Sequence, residues 1–228
     1  MWLIVLQGNR RDCEYRDKKM CGRFVLQAEL SRIVESFDIQ EVACHYRPSN
    51  NIFPGQHIIA VVHDTMNRLV EFKWGLIPWW SKDPSIGNRM INARAETAAE
   101  KPVFRQAFKK RRCLIVADGF YEWQKVGKAK KPLYFSLKSG GPFGFAGLHE
   151  TWTSPDQQQL HTCTIITTEA NRFIEPIHDR MPVIVPKDLE MKWIDPENQN
   201  HQELMSVLKP YLSEEMDMSE VTISLNKK

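Results

Sequence analysis

Cys113-Leu114-Ile115-Val116-Ala117-Asp118-Gly119-Phe120-Tyr121-Glu122-Trp123 is the stretch whose reading decides the fold class. The run from Cys113 to Ala117 is continuously apolar, the pattern of a strand buried on both faces. Asp118-Gly119 ends it. Phe120 to Trp123 is a second strand, in which Glu122 and Gln124 alternate with Tyr121 and Trp123. Outward from there the same pattern recurs. His57 to Val62 and Leu69 to Trp74 are strands joined by a turn at Asp64-Thr65-Met66-Asn67. Tyr134 to Leu137 and Phe143 to Leu148 flank Ser139-Gly140-Gly141-Pro142. Thr162 to Thr168, Val183 to Val185 and Val221 to Leu225 complete the set. Helical spacing is confined to roughly 28–38 (Leu30, Ile33, Val34, Phe37), Val103 to Lys110, Leu189 to Trp193 and Glu203 to Leu208, with about one helical turn over Asn171 to Ile177. Residues 43–56 read as a loop. Many short strands with few helices between them predict a mainly β, α+β single domain and argue against a doubly wound sheet.

A chain of 228 residues can bury a full core. Its net charge of +3 says little about partners, but the distribution says more. Between Lys101 and Lys138 stand eleven Lys or Arg and only two acids, Asp118 and Glu122. That block predicts either a phosphate-bearing partner or a solvated lysine-rich hairpin. The five cysteines, Cys13, Cys21, Cys44, Cys113 and Cys163, are odd in number and widely spaced, without a CxxC pair. Neither a zinc site nor a disulfide framework follows, and reduced, cytoplasmic thiols are the simplest account. No metal or cofactor is expected. Trp2-Leu3-Ile4-Val5-Leu6 is too short for a signal sequence, and no stretch approaches membrane-spanning length.

Met20-Cys21-Gly22-Arg23-Phe24 has the form of a protein start. Residues 1–19 then read as a leader, an upstream start-site artefact or a removable propeptide, with the domain over 20–228. Removal of Met20 would leave Cys21 first, with an α-amine and a thiol on adjacent carbons. The amine has a pKa near 8 and is partly neutral at pH 7; the thiol reacts as thiolate. Together they trap an aldehyde as a five-membered thiazolidine. A buried structural cysteine at a strand start is the alternative. Trp74-Gly75-Leu76-Ile77-Pro78-Trp79-Trp80 places three indoles in seven residues, either in the core or in part along a cleft where bases stack.

With Ile91-Asn92-Ala93-Arg94-Ala95-Glu96-Thr97 and Ile177-His178-Asp179-Arg180-Met181-Pro182, these motifs stand in an order that closely resembles the SOS response-associated peptidase (SRAP) family, the abasic-site crosslinking proteins. The resemblance runs from Met20 to at least Pro186. It implies a mainly β, barrel-like antiparallel sheet with a few short helices, and a positive channel for single-stranded DNA containing abasic sites. It implies a monomer with Cys21 as nucleophile, Asn92 near the trapped sugar, Glu122 as acid/base and His178 beside it. Arg23 and Arg94 match family arginines that face DNA phosphates, and Pro54, Trp79 and Trp80 are expected to contact the DNA with them. Asn51-Ile52-Phe53-Pro54 departs from the family's Asn-x-Ala-Pro at Phe53.

The residue chemistry fits those roles, because opening the sugar ring and expelling water both need a proton donor. Glu122, on an aromatic strand, is expected to have a raised pKa. The structural alternatives are a satisfied buried glutamate, a turn histidine at His178, a strand-end cap at Asn92, and ion pairs of Arg23 or Arg94 with Glu96. Two other functions fit the same residues: a thiol peptidase using Cys21 and His178, with its own leader as one substrate, and a non-catalytic single-stranded nucleic-acid binder.

Overall fold

A computed structural model describes residues 22–127 and 129–221. The chain runs through β1 (Phe24–Leu26), α1 (Leu30–Ser36), β2 (Glu41–Val42), β3 (Ser49–Ile52), β4 (His57–His63), β5 (Asn67–Trp74), β6 (Asn92–Arg94), α2 (Ala95–Ala98), α3 (Arg105–Lys110), β7 (Arg112–Ala117), β8 (Gly119–Val126), β9 (Ala129–Leu137), β10 (Phe143–Thr153), β11 (Gln159–Glu169), β12 (Arg180–Pro182), β13 (Ile184–Val185), α4 (Glu190–Ile194), α5 (His201–Val207) and β14 (Met216–Glu220). Strands dominate and the helices are short, as the sequence predicts.

Five strands close on themselves. β11, β10, β7, β4 and β5 pair antiparallel in that order, and β5 returns to β11 through a parallel contact, Lys73 opposite Thr162 and Trp74 opposite Cys163. The barrel is therefore mixed rather than purely antiparallel. Successive residues of a strand face opposite sides, and in a closed ring both sides are filled. Ile58, Ala60, Phe72, Trp74, Cys113, Ile115, Phe145, Cys163 and Ile165 form one cluster. Ile59, Val61, Leu69, Leu114, Val116, Leu148 and Ile166 form the other, beneath Ile33, Phe108, Trp193 and Leu204 of the helices. Every residue of β7 is buried for this reason.

A second sheet runs in the order β14, β9, β8, β1, β3. Its Phe24, Phe120 and Phe135 join the first cluster, with Phe24 5.4 Å from Trp74 and Phe120 6.0 Å from Phe145 between ring centres. The chain passes between the sheets at Asp118-Gly119. Gly119 lies opposite both Val25 and Ser136; a β-carbon there would fall 2.5 Å from the Phe135 carbonyl oxygen, so only glycine fits.

Some expectations need correction. The loop over 43–56 contains β3, whose Ser-Asn-Asn-Ile has no apolar alternation because it is an edge paired only with β1. The last described strand is Met216–Glu220, another polar edge, and residues 222–225 of the expected closing strand lie outside the described residues. Asn171 to Ile177 forms hydrogen-bonded turns rather than a regular helix. The basic block is not one patch: Arg112 is buried, Arg111 pairs with Glu150, and the remaining cations are spread over α3 and the β8–β9 hairpin. No helix among the described residues is long and apolar enough to cross a membrane.

Arg112 holds the helical layer to the barrel. Its guanidinium donates to the carbonyls of Trp193 (2.6 Å), Phe108 (2.7 Å), Lys109 (2.5 Å), Asn198 (3.0 Å) and Asp195. Burial pushes its pKa down to about 10, so it stays charged at neutral pH. Arg112→Met would leave those carbonyls without their donor, at a cost of about 3 kcal/mol or more. Urea denaturation checks this, and a loss below about 1 kcal/mol would show that water replaces the guanidinium.

Candidate active site

The site begins with the register of β1 on β8. Phe24 opposes Phe120, Val25 opposes Gly119, and Tyr121 N–H donates to the Arg23 carbonyl at 2.9 Å. Gly22 leads into this pairing from upstream, and Glu122 continues β8 beyond it. The Asp118 carboxylate fixes this register from the other end of β1. Its Oδ2 accepts the backbone N–H groups of Gln27 at 2.5 Å and Ala28 at 2.8 Å, and its own N–H donates to the Val25 carbonyl.

Glu122 is 2% exposed, and its Oε1 is buried without a hydrogen-bond partner. Burial pushes its carboxyl up to about 8, against a hydrogen bond from Trp123 N–H and with help from the nearby Asp179 charge. Most of it is therefore protonated at neutral pH, the state of a proton donor.

His178 Nδ1 lies 3.0 Å from the Arg180 backbone nitrogen, 3.2 Å from the Arg180 carbonyl oxygen and 3.2 Å from Asp179 Oδ1, so the two residues that follow hold the ring in place. Asn92 opens β6, which runs parallel to β11 with Asn92 opposite Ile165 and Arg94 opposite Thr167. Thr167 opposes Pro182 of β12 on the other edge. The Asn92 and His178 motifs thus flank the same end of β11.

Arg23 is 7% exposed, with its guanidinium carbon 6.0 Å from the Phe53 ring centre and 5.7 Å from that of Trp123. Pro54 follows Phe53 in a turn and is half-buried. Arg94 is exposed; the expected partner Glu96 is instead held by both terminal nitrogens of Arg180, at 2.5 and 2.9 Å. Of the three indoles, Trp74 is core and donates to the Ile91 carbonyl, whereas Trp79 and Trp80 are 61% and 48% exposed. Gly75 (φ +132°) releases the chain from β5 into that loop, with its backbone against Gly87. The adjacent Ser81 carbonyl accepts from Trp152, which opposes Leu160. This is roughly 20 Å along β11 from Thr167 at about 3.3 Å per residue. The tryptophan loop therefore lies towards the other end of β11 from the Arg94 and Arg180 pairings. Cys21, the expected nucleophile, lies outside the described residues.

Sequence reasoning missed Asp118, Thr167 and Arg180. The first two are single polar residues at strand ends, and only non-local pairing reveals their positions. Arg180 stands within a quoted motif, but nothing local links it to Glu96. Among the described residues no group of three His, Cys, Asp or Glu side chains is arranged to hold a metal ion. Cys113 and Cys163 are buried free thiols whose pKa values burial raises, and Cys44 is half-buried.

Comparison with known proteins bears on these motifs. The chain is 47% identical over 211 residues to the abasic site processing protein YoaM of Bacillus subtilis, covering 91% of this chain and 93% of that one. It is 32% identical over 234 residues to the abasic site processing protein HMCES of Gallus gallus, covering 88% of this chain and 66% of the other. A crystal structure of a protein from Bacteroides thetaiotaomicron superposes with a TM-score of 0.81 at 28% identity, covering 88% of this chain and 92% of that one. The sequence profile described as SOS response associated peptidase (SRAP) matches residues 20–228. The chain belongs to the SRAP family.

Proposed function

We propose that this protein captures abasic sites in single-stranded DNA covalently, through a thiazolidine between Cys21 and the ring-opened sugar aldehyde. The observation that supports this reading is the β1–β8 pairing, Phe24 opposite Phe120 with Tyr121 N–H on the Arg23 carbonyl, on the same strand as a buried, largely protonated Glu122. The names of YoaM and HMCES support the substrate class.

In this reading a proton from Glu122 assists opening of the deoxyribose hemiacetal to the aldehyde. The neutral α-amine of Cys21 adds to that carbonyl, and the carbinolamine loses its hydroxyl as water with a proton from Glu122 or His178. The thiol then adds to the imine carbon. One C–N and one C–S bond form, and one water leaves. Asn92, across β11 from the His178 motif, is suited to hold the sugar. Arg94 and the exposed Trp79 and Trp80 would meet the strand, with Arg23 and Pro54 beside the lesion.

The α-amine is the crux, because an amide nitrogen cannot form the imine. Protein beginning at Cys21 is expected to give a heat-stable adduct with single-stranded DNA carrying one abasic site, and none with intact DNA. Cys21→Ala should give none, and a chain confirmed by intact mass to retain Met1 to Met20 should give none either. A stable adduct from that longer chain would rule out the amine mechanism. Leader removal in a catalytically dead DNA binder, or thiol-only cleavage of peptides, would instead support the peptidase reading.

The rate should also be bell-shaped in pH. It rises as the α-amine, with pKa near 8, becomes neutral. It falls again as Glu122 loses its proton through about 8. Glu122→Gln removes the second titration, so the alkaline limb should vanish and the maximal rate should drop by about 100-fold or more. Single-turnover rates across that range check it; an unchanged alkaline limb would assign the proton to another group.

Non-covalent binding to intact single strands should weaken steeply with salt, because phosphate contacts release counterions. Duplex should bind less well, since Trp79 and Trp80 can stack only on unpaired bases. Fluorescence anisotropy at several salt concentrations measures both, and a salt-independent Kd or a preference for duplex would count against this interface.

A further inference from the structure

Sequence alone leaves two readings of the basic block, a phosphate-bearing partner or a solvated hairpin, and part of that block lies on the end of the β8–β9 hairpin that leads away from Glu122. β1 pairs with β8 at Gly119 and Phe120, with Tyr121 N–H on the Arg23 carbonyl, and the pairing of β14 with β9 runs from Leu137 to Leu133. Among the described residues, 123–126 and 129–132 pair only with each other. This end therefore projects as a two-stranded ribbon, and exposure rises along it to Lys125, Val126, Ala129 and Lys130. Lys125 stands directly opposite Lys130, and like charges so placed destabilise a strand pair. A two-stranded ribbon has little stability to spare. Alternation puts both lysines on the face of Trp123, whose ring centre lies 5.7 Å from the Arg23 guanidinium carbon. Gln124 and Lys131, also opposite one another, share the other face with Glu122 and Leu133. Lys131 is two residues, about 7 Å of strand, from Leu133, the partner of Glu122. Its ammonium pairs with Glu220 of β14, and the two side chains are 41% and 70% exposed.

We propose that this projecting end is a further binding site for the DNA backbone, in which Lys125, Lys130 and Lys131 hold phosphates of the strand that flank the lesion. The proposal rests on the reading that the chain binds single-stranded DNA, and it adds phosphate ligands to that reading. An abasic sugar carries a phosphate on each side, so a sugar brought to Glu122 brings anions to the root of the hairpin. The facing lysines repel one another when bare, and a polyanion between them removes that repulsion. Lysine suits the task, because it meets a phosphate as a flexible point charge and reads no base. Glu220 is then a placeholder. An ion pair as exposed as Lys131–Glu220 is weak and screened by salt, so a phosphate can take the place of the carboxylate.

The test uses protein beginning at Cys21 and intact single-stranded DNA, with Kd read by fluorescence anisotropy over a decade of salt concentration. Lys125→Gln with Lys130→Gln, and separately Lys131→Gln, should bind more weakly at low salt, and equally so for different base sequences. The deficit should narrow about fivefold per decade of salt for each lysine removed, since each phosphate contact on a single strand adds about 0.7 to the logarithmic slope. Glu220→Gln should act in the opposite direction and bind more tightly, because it frees Lys131. That gain should vanish when Lys131→Gln is also present, whereas a bulk charge effect would leave it intact. Removing the Lys125–Lys130 repulsion should not lower the thermal midpoint, which separates weaker binding from loss of fold. Unchanged Kd and slope in the lysine variants, or a Glu220→Gln gain that survives the loss of Lys131, would overturn the inference; the first result would make the lysines guards of an exposed strand edge. Because intact strands are read, absence of adduct on abasic DNA would overturn the capture reading and leave this site standing. Failure of the unsubstituted protein to bind single strands would overturn both.

Discussion

The Asp118 carboxylate receives two successive backbone N–H groups, those of Gln27 and Ala28, just beyond the last residue of β1. Hydrogen bonds to a charged acceptor are worth about 1.5–3 kcal/mol each where water is displaced. They matter here because β1 has only three residues and contributes few ladder bonds of its own. The same residue donates its N–H to the Val25 carbonyl at the point where the chain leaves the barrel for the second sheet. One side chain thereby ties the first described strand to the crossing from β7 to β8. The position of everything upstream of Phe24 relative to Glu122 depends on this register.

A buried carboxyl without a full set of partners is costly if ionised and tolerable if protonated. Glu122 takes the second course. It lies 2% exposed on a strand held by β9, and the Arg23 guanidinium lies between the Phe53 and Trp123 rings. Buried polar atoms lacking partners also occur at Asn51 on β3, Asp118, Thr97 after β6 and the Arg180 Nε. Others stand at Arg68, Arg111 and Thr164, so such atoms are spread over both sheets.

Legibility in the sequence followed burial. Apolar runs such as Cys113 to Ala117 and Thr162 to Thr168 are visible because both faces are covered, so their pattern is local. The polar edges β3 and β14 are not, since an edge strand needs only one partner and little apolar surface. The parallel contact that closes the barrel, Trp74 against Cys163, leaves no trace in either segment because the two are far apart in the chain. At the site, an acid in an aromatic strand announces a raised pKa, and Glu122 has one. The fate of Arg94 does not follow from its neighbours. Glu96 is two residues away in sequence, yet it is held by Arg180 from across a strand. Local charge pairing is a poor guide wherever three strands converge.

The division of labour between rigid and adjustable parts follows from the same topology. From Thr162 to Thr167, β11 has partners on both edges: β10 and then β12 on one side, β5 and then β6 on the other. A strand bonded on both edges and buried on both faces opens only with the whole fold. Asn92 and Thr167 therefore form a fixed wall. Glu122 sits on the long β8–β9 hairpin, opposite Leu133 of β9, just beyond the residues of β8 that pair with β1. β1, by contrast, is short, and its register to β3 shifts between Phe24 and Leu26. Of the strands around Glu122, β1 is therefore the one that can shift at least cost to its own ladder.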